Sequence, residues 1–325
     1  MPERNTMKKI QELQQVKGDA YDYYIAGNED TDLFEKIFLV DDIVEEICKP
    51  DKYFLIGEKG SGKTAYSVYM SKSDKINSFC SISLVENTLY QRFLNMKRQK
   101  ALELSSFKDV WINLIYLILA EKIRKEYGET FFSSIKYKQL SKAIDVFYSD
   151  AFKPEFVNAF EFVDNASASI NSMMKQGLFS TGTKASAETS QKYVEQSFQI
   201  SLLKIRDGFE KAFMSVNLKK PTILFVDGID ARPRDIDNEQ YFECLVGLVN
   251  AVLEMNQSFL KEKQIKIMLL IRPDIMYKMP VHNMNQKLRN NSVLLNWVTS
   301  YRKYIDSKLF KIADDYFMKQ QDYSY

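Results

Sequence analysis

The chain has 325 residues, enough for one large α/β domain or two average ones. Its 45 basic and 43 acidic residues leave a net charge of +2, so no global field draws it to nucleic acid or to an anionic membrane, and nothing in the total supports a local basic patch. Three scattered cysteines (Cys48, Cys80, Cys244) and one histidine (His282) argue against a disulfide framework, a zinc site and any His-based metal centre.

The opening stretch "MPERNTMKKIQELQQ" is charged and lacks the apolar run of a secretory signal. Residues 1–32 read as a helical or extended leading segment. "LFEKIFLVDDIVEEICKP", from Leu33, reads as one amphipathic helix stopped by Pro50. "KYFLIG" (52–57) is a short apolar strand running into a glycine-rich turn, and "KTAYSVYMSKS" after it is a helix. "SFCSISL" (78–84) is a second strand. Residues 86 to about 160 read as largely helical, and "VWINLIYLILA" (110–120) is their most apolar run. That run is about half of the ~20 residues needed to span a bilayer. Trp111, Leu114, Ile115 and Ile118 share one helical face, so a buried helix is expected, in a protein that is soluble and cytoplasmic.

"NASASINSMMKQGLFSTGTKASAETSQ" (165–191) is poor in large apolar side chains and reads as a mobile excursion or partly disordered part of an insertion covering about 86–197. A helix through "FQISLLKIRDGFEKAFM" (198–214) precedes "PTILFVD" (221–227), a continuous apolar run of the kind buried in parallel sheets. "YFECLVGLVNAVLEM" is a long helix, "IKIMLLIRP" (265–273) a fourth strand, "NSVLLNW" (291–297) a short fifth, and "YIDSKLFKIADDYF" a last helix. Alternating strands and helices predict an α/β fold: a doubly wound, five-stranded parallel sheet with helices on both faces. The domain proper is expected over 33–300, with 301–325 a C-terminal helix.

"GEKGSGKT" (57–64) fits G-x-x-x-x-G-K-[ST]. Gly57, Gly60 and Gly62 let the backbone turn sharply, and the N–H groups of Lys59 through Ala65, with Ser61 among them, are placed to converge on a phosphate at a helix N-terminus. Lys63 would reach the β- and γ-phosphates, and the Thr64 hydroxyl would ligate Mg²⁺. Asp227 ends the buried strand "ILFVD", where a carboxylate can join the same Mg²⁺ shell, because ligands bind beyond the carboxyl ends of parallel strands. Arg272 ends the next strand, expected to lie between the other two. It either meets the γ-phosphate or pairs with Asp274.

"GEKGSGKT", "ILFVDGID" and "IMLLIRPD" together resemble P-loop NTPases of the STAND and AAA+-related branch. More narrowly, "DGIDARP", "LLIRPDI" and "NQKLRNNSVLLNW" resemble a bacterial P-loop ATPase family of unassigned role, over about residues 33–84 and 198–315. The resemblance implies a P-loop NTPase fold, binding of ATP with Mg²⁺, slow hydrolysis, and signalling through nucleotide-controlled homo-oligomers. It also implies a setting in bacterial antiviral defence; since the sequence shows no second catalytic motif, any effector activity is expected in a protein partner. Many AAA+ members carry a catalytic Glu directly after the strand-end Asp, where this chain has Gly228. Asp230 is the nearest substitute as the water-activating residue, or else it caps a turn.

Arg232, Arg234 and Arg289 are candidate arginine fingers or plain surface charges. "MKRQK" (96–100) is a solvated helix face or a contact for nucleic acid or a partner. Only about 28 residues follow Trp297, so a helical lid is minimal or the natural chain is longer. Two other functions compete with the ATPase: a scaffold that binds nucleotide without hydrolysing it, and a small-molecule kinase, against which the D-G-I-D and R-P pattern argues.

Overall fold

The computed structural model describes residues 17–25, 28–85, 106–132, 137–150, 202–230, 238–279, 290–296 and 303–321, with residues 13, 15 and 288 singly. Five strands form one sheet: β1 (Phe54–Gly57), β2 (Phe79–Leu84), β3 (Thr222–Asp227), β4 (Ile265–Ile271) and β5 (Ser292–Leu295). Their order is β2-β3-β4-β1-β5 and every pairing is parallel. β4 therefore lies between β1 and β3, where the sequence places it. The central strands are buried residue by residue, which is why they read as largely apolar runs, with Lys266 of β4 the exception, rather than as alternation.

Alternate side chains of each strand serve two separate cores. Ile265, Ile267, Leu269 and Ile271 of β4 belong to one, and Met268 and Leu270 to the other. The second core is covered by α1 (Ala20–Ile25), α2 (Asn28–Ile37), α3 (Asp42–Cys48) and α4 (Lys63–Lys72) through Tyr23, Phe34, Val44, Ile47 and Tyr69. The first is covered by α5 (Phe107–Phe132), α6 (Lys138–Asp150), a helix over 202–215 (α7), α8 (Asn238–Asn256) and α9 (Pro273–Lys278). Helices on both faces make the sheet doubly wound. A 3-10 turn, Tyr304–Asp306, leads into α10 (Lys308–Met318), which has no buried residue.

Three details depart from the sequence reading. The helix expected from Leu33 to Pro50 is two helices, α2 and α3, because Asp41 takes an extended conformation and caps α3, its carboxylate accepting from the Ile43 N–H at 3.2 Å. α2 also runs across residues 32 and 33, so the leading segment and the domain share a helix. In α5 the buried positions are not one face: Val110 through Ala120 are all buried, since this stretch of the helix is enclosed on all sides.

α5 and α8 cross closely at Gly247, where an added Cβ would stand 2.7 Å from the Cβ of Phe107 and 3.0 Å from the Lys108 nitrogen. The Trp111 indole donates to the Cys244 carbonyl at 3.0 Å across the same contact. Glu254 of α8 takes Lys108 of α5 at 2.8 Å and Arg206 of α7 at 2.7 Å. Among the described residues no helix is long and apolar enough to cross a membrane.

Candidate functional site

The carboxyl ends of β1, β4 and β3 stand side by side, and the segments that follow them carry the polar groups singled out in the sequence. β1 ends at Gly57, which has no room for a side chain: a Cβ would fall 2.2 Å from Ser61 Oγ and 3.0 Å from the Leu295 Cβ. The chain then turns through Glu58, Lys59 and Gly60, all exposed, to buried Ser61. Gly60 and Gly62 have φ of 80° and 89°, a left-handed backbone that glycine adopts without steric cost. Gly62 is the N-cap of α4 and offers no side-chain acceptor, so the first N–H groups of α4, Lys63 to Ala65, face the turn without a side-chain cap.

Lys63 is buried, its ammonium donating back into the loop, to the Gly57 carbonyl at 2.7 Å and the Glu58 carbonyl at 3.0 Å. Burial lowers its pKa below the ordinary lysine value, partly offset by the carboxylates of Asp230 and Asp227. The Thr64 hydroxyl donates to Asp227 Oδ2 at 2.6 Å, joining the helix after β1 to the end of β3 across the width of β4. Asp227 is 8% exposed, and its other oxygen accepts from the Gly228 N–H at 2.7 Å. Burial raises its pKa despite those two hydrogen bonds, so its charge is held at a cost.

Gly228 has φ of 83°, and a Cβ there would meet the Val85 carbonyl at 3.0 Å, while the Val85 N–H donates to the Asp227 carbonyl at 2.8 Å. The turn is held from its other side by the Tyr241 hydroxyl, which donates to the Ile229 carbonyl at 2.6 Å. Asp230 is partly exposed, 3.9 Å from the Arg272 guanidinium. Arg272 itself forms a two-pronged pair with Asp274, at 2.9 and 2.8 Å. Of the two roles considered for Arg272, pairing with Asp274 is the one seen here, with the side chain still beside the cluster.

A second feature had no local signal in the sequence. Beside Gly60, Ser61, Gly62 and Ala65 lies an apolar cavity of about 460 Å³. Its walls come from Phe34 and Phe38 near α2, Leu295 of β5, and Ile312 and Phe317 of α10. Asp41 holds these parts together: it accepts from the Tyr66 hydroxyl of α4 at 2.8 Å and from the Lys308 ammonium of α10 at 2.6 Å.

The oxygens of Thr64 and Asp227 are the hard donors that suit a small divalent cation sharing its shell with phosphate and water. Among the described residues no group of three or more His, Cys, Asp or Glu side chains forms a self-sufficient metal cage. Arg232, Arg234, Arg289, His282, the 96–100 run and the 165–191 stretch lie outside the described residues. No family model, curated protein or solved structure matches the chain, so the chemistry of the site rests on its own residues.

Proposed function

We propose that the chain is a P-loop NTPase that binds ATP with Mg²⁺ at Gly57–Ala65 and hydrolyses it slowly, as a nucleotide-controlled conformational or assembly switch. One observation carries this reading: the 2.6 Å hydrogen bond that joins Thr64, on the helix after β1, to Asp227 at the end of β3, a strand that β1 does not touch. In a glycine loop of ordinary structural use, neither a buried lysine folded onto the loop carbonyls nor a strand-end carboxylate on the following threonine is needed. On this reading the N–H groups at the head of α4 and the Lys63 ammonium bind the phosphates, and Thr64 and Asp227 orient the cation. The cation, when bound, neutralises charge on the phosphates. The apolar cavity beside Ala65 has the size and lining for a nucleobase, with Phe34, Phe38 and Phe317 as ring partners. Adenine and homo-oligomers follow from the resemblance, and an effector partner from the lack of a second catalytic motif in the sequence. So does the antiviral setting, on which no residue of the site bears.

Lys63→Ala and Asp227→Asn should each lower ATP turnover by about 100-fold or more, measured as phosphate release from the purified full chain. Undiminished turnover in both variants would falsify the reading.

The geometry of Gly228 favours a second reading, a scaffold that keeps its nucleotide intact. The acid that would position water directly after Asp227 is missing, and the backbone there disfavours one. Stoichiometric nucleotide retained through purification, without phosphate release at high protein concentration, would decide for the scaffold.

A further inference from the structure

The near-neutral total charge hides a local excess at the end of the sheet opposite the glycine loop. A cavity of about 820 Å³ opens where β2 and β3 begin, bounded by α1, the C-terminal end of α4 and the second half of α5. Lys72, Lys122, Lys125, Lys219 and Lys220 line it, against two acids, Asp74 and Glu126. These lysines come from three separate segments, and Lys125, Lys219 and Lys220 are exposed. Two aromatic pairs share the lining: Tyr21 with Tyr24, ring centroids 5.4 Å apart, and Phe79 with Tyr127, 6.2 Å apart. The Lys72 ammonium stands 5.6 Å from the centroid of the Tyr24 ring.

One buried polar atom points to a ligand independently. Ser81 is 3% exposed, it lines this cavity, and its Oγ has no hydrogen-bond partner among the described residues. A buried hydroxyl left unpaired carries a real desolvation cost, which a polar ligand atom would remove. The Tyr24 oxygen accepts from the Ile82 N–H at 3.3 Å, so its own O–H remains a donor at the same wall.

We propose that this cavity is a second ligand site, one that takes a nucleotide with its base against the aromatic rings and its phosphate on the lysines. The volume is that of a small-molecule site and is concave, unlike a surface that meets a bilayer. An acidic peptide would satisfy the lysines and leave four rings idle. A nucleotide uses both, since base stacking on aromatic side chains adds to phosphate neutralisation. The nucleotide is supplied either free or as part of a single strand; the recognition chemistry is the same. The proposal does not depend on what the glycine loop binds, because the two sites lie at opposite ends of the strands.

The test uses the full chain carrying Lys63→Ala, to suppress the loop's own contribution, at low salt. Two fluorescent probes are titrated by anisotropy: an oligothymidylate of about ten nucleotides and a labelled adenosine monophosphate. At least one should bind. Its affinity should fall at least about tenfold in Lys219→Glu/Lys220→Glu and about tenfold in Tyr21→Ala, and should fall with rising salt. Binding of the oligonucleotide alone assigns the site to a strand, and binding of the monophosphate alone assigns it to a free nucleotide. The proposal is overturned if neither probe binds, if charge reversal leaves binding intact, or if an oligoglutamate of equal charge competes as well. Lys125→Glu, exposed and on a different element, repeats the test should the double variant lose its fold.

Discussion

Asp227 shows how a buried carboxylate weakens the fold that holds it. Burial lifts its pKa above the ordinary carboxylate value, so this group contributes stability that is complete below that value and is lost as pH rises through the raised one. At neutral pH the resting protein therefore carries the cost of a desolvated charge. Asp227→Asn should raise the melting temperature of the nucleotide-free protein by about 2 °C or more, with the gain vanishing toward acid pH, in thermal unfolding across pH 4 to 8. On the proposed function, Mg²⁺ with ATP should stabilise the wild type, and this variant should lose that gain. Gly228 sets the opposite limit. Installing an acid there forces a side chain into the left-handed region and toward the Val85 carbonyl. Gly228→Glu should cost about 1–3 kcal/mol in denaturant unfolding and give no faster phosphate release.

At the scale of elements, a few backbone details fix how helices meet the sheet. Gly247→Ala makes the sharpest case, because two effects compete. Alanine favours a helix by about 1 kcal/mol over glycine, but here its methyl would press on Phe107 and the Lys108 backbone. The backbone has no flexible way to yield, so the variant should be net destabilised by about 1–3 kcal/mol in chemical unfolding. α3 ends differently. Lys266, buried on β4, reaches across to the carbonyls of Ile47 and Lys49 and closes the helix from outside. Burial lowers its pKa to about 8. With the folded value below the unfolded one, its contribution to stability is present at high pH and is lost as pH falls through about 8. Relative to Lys266→Met, the wild type should gain stability between about pH 8 and pH 10 in urea unfolding followed by fluorescence, and a flat difference would refute the assignment.

For the molecule as a whole, the cavity beside the loop ties distant parts of the chain to one another. Ile312→Asp, on a helix with no buried residue, should leave the melting temperature nearly unchanged. On the proposed function it should weaken ATP binding about tenfold, a loss of ~1.4 kcal/mol readable by calorimetry. This is also where reading the sequence reached its limit. The central strands were legible because Leu55, Phe225 and Leu270 sit in apolar runs, and the polar cluster because Lys63, Thr64 and Asp227 hold fixed places next to those runs. The break at Asp41 was not, since its carboxylate sits inside an apolar period that continues on either side and only the cap geometry shows the interruption. Neither cavity was legible: Phe34 and Phe317, or Lys72 and Lys219, become neighbours only through the fold and carry no spacing that a motif could record.

Asp41 adds a consequence in time. A ribosome delivers Phe34, Asp41 and the whole glycine loop early, yet the opposite wall of the cavity, with Lys308 and Phe317, comes only after every strand of the sheet has been made. A nascent chain arrested before residue 303 would hold a finished loop beside an open slot. The salt bridge from Lys308 to Asp41 therefore forms only after all five strands have been synthesised.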